Sequence, residues 1–212
     1  MAAKAVRPGA KGALSRDNIL ALATEAFAER GYLGTSLRDI SERAGMTAAS
    51  LYYHFRSKDD LLEQIIVTAV DTLIEILMRE LGSDRPIVQR LSNMMREHML
   101  FTVSKASESR IILNESRFVH NDKQPLLRQK QLQILDIYRR LMEGLQSAGL
   151  APQGDPTLAA FLLLSTVNGF AQWFRRGRSM QLEPAVQLTI DYALRGSGIA
   201  EQPERKTRIA GA

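Results

Sequence analysis

The chain has 212 residues, of which 45% are hydrophobic and 24% charged, a balance typical of a soluble globular protein with one or two domains. It has no cysteine, which excludes disulfides, thiolate nucleophiles and cysteine-ligated zinc. We expect no secretory signal, because residues 1–15 lack an apolar run of the required length. Residues 158–174 form the longest apolar stretch, but polar side chains interrupt it, so it predicts a buried helix and no membrane span. These properties favour a cytoplasmic protein.

The net charge of +5 is unevenly distributed along the chain. Residues 1–58 carry nine lysines and arginines against five acidic residues, so this first quarter holds +4 of the excess. Such a segment suits a polyanionic partner, because lysine and arginine neutralise phosphates and release counterions. A solvated basic surface without a partner has the same composition, so charge alone leaves both interpretations open.

Helical periodicity along the chain predicts an all-α fold of about nine helices, since no segment alternates with the period of a strand. The first four helices begin at Ser15, Ser36, Thr47 and Ser57, which are good N-caps. Gly45 ends the second helix, because glycine tolerates the left-handed turn. The fourth helix extends to about residue 81. Five further helices are predicted at residues 84–105, 107–118, 122–148, 155–176 and 183–194.

Residues 36–55 have the organisation of a helix-turn-helix motif, with two short helices joined by a tight glycine turn at residues 44–46. The second of these helices begins with Thr47, Ala48, Ala49 and Ser50. Small and polar residues at this position let the backbone approach base edges in the major groove. Aromatic side chains follow at positions 52–54, and tyrosine hydroxyls bond well to phosphates, which fixes register but reads no sequence. A helical hairpin without DNA-binding activity is the alternative that the pattern by itself leaves open.

The segment 31–65, GYLGTSLRDISERAGMTAASLYYHFRSKDDLLEQI, closely resembles the DNA-binding domain of the TetR family of transcriptional regulators. The matching features are Gly31, Thr35-Ser36, the helix end at 40–45, the run LYYHF at 51–55, Ser57-Lys58 and Leu61-Leu62. The resemblance implies an all-α protein with an N-terminal helix-turn-helix DNA-binding domain and a C-terminal helical bundle for ligand binding and dimerisation. It also implies a homodimer on a pseudo-palindromic double-stranded DNA operator, with a small-molecule effector, no cofactor and no membrane.

The same resemblance assigns DNA contacts to residues 15–60, which we call the reading head. Thr47, Ala48 and Ser50 are expected to face bases. Thr35, Ser36, Tyr52, Tyr53 and Lys58 are expected to face phosphates, and His54 belongs to the same DNA-binding set. The basic residues 1–14 form either an arm that adds DNA contacts or a plain disordered tail.

Residues 61–196 are predicted to form the effector-binding and dimerisation domain, and residues 197–212 a flexible tail. The eighth helix is apolar almost all round, which predicts burial on every side, partly by a partner subunit. The expected dimer interface comprises Leu158, Phe161, Leu162, Phe170, Leu188 and Tyr192. The central helix of a monomer is the alternative interpretation.

An effector site is expected among the middle helices, where methionines suit an irregular cavity but also fill ordinary cores. The candidates are Met95, Met99, Asn114, Arg117, Phe118, Asn168, Trp173 and Arg176. Residues 168–177, NGFAQWFRRG, resemble the helix end of family members that respond to acyl-CoA thioesters. Arg175, Arg176 and Arg178 would then meet a CoA phosphate, or they are simply a basic helix C-terminus favoured by the macrodipole.

Enzyme activity is not expected, because no catalytic constellation is present. The sequence lacks G-x-S-x-G, H-E-x-x-H and a phosphate-binding glycine loop. Neither His98 with Glu97 nor His120 with Asp122 amounts to a metal site. A DNA-binding protein that ignores sequence and ligands is the remaining alternative, and its binding would fall with salt equally on every DNA.

Overall fold

A computed structural model describes residues 15–119, 124–174 and 181–200, and the side chains of residues 113, 117 and 171 are not described. Every regular element within these residues is a helix, which confirms the all-α prediction. The elements are α1 (Arg16–Arg30), α2 (Leu37–Arg43), α3 (Ala48–His54), α4 (Lys58–Leu81), α5 (Ile87–Ser104), α6 (Ala106–Glu115), the 3-10 turn η1 (Ser116–Phe118), α7 (Gln124–Ser147), α8 (Pro156–Phe174) and α9 (Leu182–Gly196).

Side-chain caps fix the beginnings of the first four helices. Ser15, Ser36, Thr47 and Ser57 each accept a hydrogen bond from the backbone N–H three residues later. At α2 the Asp39 carboxylate also accepts from the Ser36 backbone N–H, so the predicted capping box is complete. Because these interactions are local, the sequence alone could place the helix starts.

The reading head is held together by a small apolar core at the meeting point of α1, α2, α3 and the start of α4. Phe27, Ile40, Leu51 and Phe55 are at most 1% exposed. Gly45 has φ 63° and turns the chain from α2 into α3. α3 has only seven residues, so it depends on Leu51 and Phe55 for its position.

The body of the protein is a helical bundle in which α7 packs against α4, α5 and α8, α5 packs against α4 and α8, and α9 covers α5 and α8. α4 runs without a break through the predicted domain boundary at residue 60, and its buried residues belong to one hydrophobic cluster that extends from the reading head into the body. α6 packs against α1 and α4, so it lies between the body and the reading head.

The flexible tail predicted from residue 197 is contradicted for its first four residues. Residues 197–200 are docked, because Ile199 is buried and the Ala200 N–H donates to the Leu150 carbonyl at 2.9 Å. Gly198, with φ 65°, turns the chain after α9 so that Ile199 can reach the core. The predicted flexible tail from 201 onward, the basic arm at 1–14 and the arginines at 175, 176 and 178 lie outside the described residues.

α8 is less buried than its composition suggests. It is long enough and apolar enough, with a mean hydropathy of 1.3, to cross a membrane by these two criteria alone. Its inner side packs against α5, α7 and α9, as in the core helix of a bundle. Its outer side carries exposed apolar residues, and burial of this side by a partner subunit stays a prediction.

Candidate nucleic-acid interface

The outer face of α3 and its N-terminal cap present a row of exposed side chains. Thr47, Ala48 and Ser50 are exposed at the beginning of the helix. Tyr52 and Tyr53 follow at 56% and 89% exposed, which is unusual for large aromatic side chains. This is the surface that the sequence predicted for contact with bases and phosphates.

The position of Thr35 contradicts its expected phosphate contact. Its side chain is only 2% exposed, and its hydroxyl lies 2.9 Å from the Gly31 carbonyl and 3.2 Å from the Ala26 carbonyl. The single hydroxyl proton is therefore directed toward the end of α1, where the Gly31 carbonyl of the C-cap is the nearer acceptor. Ser36 remains exposed, and its hydroxyl bonds to Asp39, where the Ser36 hydroxyl and backbone N–H lower the pKa of the carboxyl.

We expect Thr35→Val to lower the free energy of unfolding by about 1–3 kcal/mol, because the Gly31 carbonyl loses the hydroxyl that donates to it. Thr72→Val is the matched control, since the Thr72 hydroxyl bonds the Thr68 carbonyl on an exposed face of α4 and its loss should cost less than about 0.5 kcal/mol. Urea denaturation measures both. If Thr35→Val bound DNA more weakly without any loss of stability, a direct contact between Thr35 and DNA would be supported instead.

Lys58 joins the α1–α2 connection to the beginning of α4. Its ammonium donates to the carbonyls of Tyr32 and Thr35, each at 3.0 Å, and lies 4.2 Å from the centre of the Tyr32 ring. The Tyr32 hydroxyl donates to the Asp59 carboxylate, and burial together with this carboxylate raises the pKa of Tyr32. One ammonium proton of Lys58 remains available for a phosphate. Lys58 therefore has a structural role and can donate one further hydrogen bond to DNA.

Among the cations of the reading head, Arg56 was not singled out by the sequence. Arg43 pairs with Glu29 at 2.8 Å and lowers the pKa of that carboxyl, and Arg38 pairs with Glu42. Arg56 is exposed directly after α3 and makes no ion pair with any described residue. It is therefore a further cation available to a phosphate, and only its position in the fold distinguishes it from the paired arginines.

A second exposed surface lies on the outer sides of α8 and α9, and we call it the α8–α9 face. It consists of large apolar side chains that are 56–75% exposed: Leu158, Phe161, Leu162, Trp173, Leu188 and Tyr192. Phe170 does not belong to it, contrary to expectation, because it is 8% exposed and stacks on Phe174 at 5.4 Å. An apolar patch of this kind typically marks an interaction surface.

The expected effector residues do not converge on one pocket. Met95 and Met99 are fully buried in the core, whereas Asn114 and Asn168 are exposed and Trp173 lies on the α8–α9 face. Phe118 instead stacks on Tyr32 of the reading head at 5.4 Å. The Arg117 side chain and Arg176 lie outside the described part. Periodicity identified the inward-facing positions, but it does not show whether their side chains contact the core, a ligand or solvent.

The structure does contain a cavity elsewhere, between η1 and the first two turns of α7. Its volume is about 400 Å³, and we call it the η1–α7 cavity. It is lined by Ser116, Gln124, Pro125, Leu127, Arg128 and Gln131.

A helix-turn-helix unit with an exposed second helix, set on a helical body with an apolar outer face, defines a DNA-binding regulator. Comparisons with known protein families agree. Residues 19–65 match the model of bacterial regulatory proteins of the tetR family, and residues 84–197 match the tetracyclin repressor-like C-terminal domain. The chain therefore belongs to the TetR family of transcriptional regulators, and it is not an enzyme.

Individual relatives span nearly the whole chain. The transcriptional repressor KstR2 of Rhodococcus jostii is 27% identical over 190 residues, covering 85% of this chain and 90% of that protein. PfmR of Thermus thermophilus shares the fold with a TM-score of 0.79 at 24% identity, over 84% of this chain and 98% of its own. AibR in complex with isovaleryl coenzyme A and operator DNA has a TM-score of 0.76 at 25% identity, over 87% and 99%.

Proposed function

We propose that this protein is a cytoplasmic, homodimeric repressor that binds a pseudo-palindromic operator and leaves it when a small apolar or amphipathic effector binds. The exposed face of α3 carries the proposal, because a seven-residue helix anchored by Leu51 and Phe55 presents its polar side outward. Each subunit inserts one α3 into the major groove, and the two grooves lie about one helical turn apart or more. The repressor name of KstR2 and the operator in the AibR complex support this direction of control.

The proposed contacts with bases and with phosphates follow from the position of each residue on or near α3. Thr47, Ala48 and Ser50 face base edges, since they lie at the end of the helix that enters the groove. The phosphate contacts are Ser36, Tyr52, Tyr53, His54, Lys58 and Arg56.

Two substitutions in α3 are expected to have different consequences. Tyr53→Phe removes a phosphate contact, so affinity should fall about tenfold on every DNA sequence alike. Ser50→Ala should change the preference among operator variants by about 1–3 kcal/mol at one or two base positions. Fluorescence anisotropy on the protein's own upstream region and on single-base variants measures both effects.

Ser83→Ala, beyond the end of α4, is the control and should leave binding unchanged. If wild-type affinity falls with salt at one slope on all DNA and shows no preferred site, the protein is a non-specific DNA-binding protein and the proposal fails.

The second subunit is proposed to cover the α8–α9 face. Six large apolar side chains exposed on one side of two neighbouring helices are costly in water, and an isologous contact would bury the same patch twice. The interface residues retained from the sequence are Leu158, Phe161, Leu162, Leu188 and Tyr192. Trp173 is added to them, and Phe170 is removed.

For the effector we propose an acyl-CoA thioester. The support is the isovaleryl coenzyme A in the AibR complex and the resemblance of residues 168–177 to members that respond to such thioesters. Isovaleryl-CoA should raise the melting temperature and lower operator affinity, whereas free coenzyme A should do much less. If neither isovaleryl-CoA nor longer acyl-CoA esters shift the melting temperature, this effector class is excluded.

A further inference from the structure

The η1–α7 cavity has features of a binding site that neither the repressor function nor the thioester effector uses. Gln124, Leu127, Arg128 and Gln131 are spaced three and four residues apart, so they share one face of the first two turns of α7. Ser116 of η1 lines the opposite wall. The volume of about 400 Å³ lies at the small end of the range for ligand pockets.

The described residues that line this cavity provide one positive charge and spare hydrogen-bond donors. Arg128 is exposed and forms no ion pair with any residue that the structure describes, and Gln131 has no hydrogen bond there either. The two other arginines of α7 are already paired, since Arg139 and Arg140 both bind Asp136. A planar guanidinium that pairs with no described carboxylate is a suitable partner for a carboxylate ligand.

Two of the lining residues are apolar. Leu127 is 5% exposed, and Pro125 is exposed to solvent. We propose that the η1–α7 cavity binds a small amphipathic carboxylate, whose charged end pairs with Arg128 and Gln131 and whose apolar body lies against Leu127 and Pro125. A cavity of this size suits a short aliphatic acid and is too small to enclose a nucleotide-bearing thioester.

A ligand in this cavity would lie next to the contact between body and reading head. The Gln124 side-chain amide donates to the carbonyls of Ser116 at 3.1 Å and Val119 at 2.9 Å, so it ties η1 to α7. Phe118 of the same turn stacks on Tyr32, which Lys58 contacts in turn. Occupancy therefore alters operator affinity through η1, and this second step rests on the proposed function.

Hexanoate is the probe for the binding step. Isothermal titration calorimetry should detect hexanoate on the full-length protein, and amide chemical shifts in NMR should change around residues 124–131 and η1. Hexan-1-ol and inorganic phosphate should each bind at least about tenfold more weakly, because the first lacks the charge and the second lacks the apolar body. Equal binding of either probe overturns the assigned ligand class.

Arg128→Gln should weaken hexanoate about tenfold or more. Arg140→Gln is the matched control, since Arg140 is an exposed arginine three turns further along α7, and it should bind hexanoate like the wild type. Equal hexanoate affinity in both variants, or no binding to the wild type at tens of millimolar, overturns the site.

Phe118→Leu tests the second step. It keeps an apolar side chain against Tyr32 but removes the stacked ring, so hexanoate should still bind while its effect on operator affinity is lost. A full hexanoate effect in Phe118→Leu overturns the η1 route. Failure of the proposed function can be told apart from failure of the cavity proposal. The first would appear as absent operator binding even without hexanoate, whereas calorimetry tests hexanoate binding to the cavity independently of DNA.

Discussion

The double variant Phe161→Asp/Leu188→Asp is expected to be a monomer of about 23.7 kDa with operator affinity at least about a hundredfold below that of the wild type. Phe161 and Leu188 are 57% and 56% exposed on the α8–α9 face. In a two-fold symmetric contact each substitution occurs on both subunits, so four carboxylates would have to be buried without partners. Once the subunits separate, each reading head must bind its half-site alone and the gain from bivalency is lost.

Size-exclusion chromatography with light scattering and anisotropy on the operator measure these two effects. Leu132→Asp is the matched control, because Leu132 is 54% exposed on α7, a helix that contributes no residue to the α8–α9 face. It should remain dimeric and bind normally, and circular dichroism should show an unchanged helix content in all variants. A double variant that is still a dimer would contradict the proposed interface, and a wild-type monomer would exclude the homodimer.

The second large effect is expected on stability at acid pH, and it arises from a polar pair buried in the bundle. His98 of α5 and Tyr138 of α7 are 2% and 0% exposed, and the Nδ1 atom of His98 lies 3.1 Å from the Tyr138 hydroxyl. Burial lowers the pKa of His98 from 6.5 to about 4 and raises that of Tyr138. The folded protein thus keeps His98 neutral.

The sign of the pH dependence follows from the lowered pKa of His98. Above pH 6.5 the imidazole is neutral in both the folded and unfolded states, so it has no effect on the free energy of unfolding. Below pH 6.5 the unfolded chain binds a proton at His98, whereas in the folded chain this imidazole stays unprotonated down to about pH 4. The free energy of unfolding should therefore fall by about 3 kcal/mol across this interval through His98 alone.

Denaturation of the wild type and two variants, at one fixed protein concentration, isolates this contribution. His98→Leu/Tyr138→Phe removes both polar groups together, so it should be nearly as stable as the wild type at pH 7.5 and lose about 3 kcal/mol less on acidification. Tyr138→Phe alone keeps the buried imidazole and should retain the wild-type pH dependence, because burial is the cause of the shift. Parallel pH curves for the wild type and the double variant would show that His98 is accessible to protons in the folded state.

Several sequence predictions depended on how deeply a side chain is buried, which only the structure shows. Thr35 and Ser36 are adjacent in the same motif, yet Thr35 is buried and Ser36 is exposed. The sequence grouped Phe170 with Phe161 in the dimer interface. In the structure, Phe170 faces the core of its own subunit, whereas Phe161 is exposed. Residue type and spacing are the same whether a neighbouring helix, a second subunit or solvent meets the side chain.

The effector residues were the weakest prediction for the same reason. Met95 and Met99 were placed correctly on the inner face of α5, but both are fully buried in the hydrophobic core. The η1–α7 cavity depends on how a 3-10 turn lies beside the first turns of the next helix, and Phe118 meets Tyr32 across 86 residues of chain. No periodicity along one helix carries that information.

By itself the sequence determined the order of the helices, the starts of the first four and the helix-turn-helix motif within the reading head. These features depend on interactions over three or four residues, namely N-caps, the capping box at Ser36, the left-handed turn at Gly45 and apolar spacing along each helix. Only the tertiary structure decided which apolar faces are core and which stay exposed, which cations are already paired, and where a cavity remains. Those properties arise when distant helices pack together, because burial and pairing belong to the contact between two elements and not to either one.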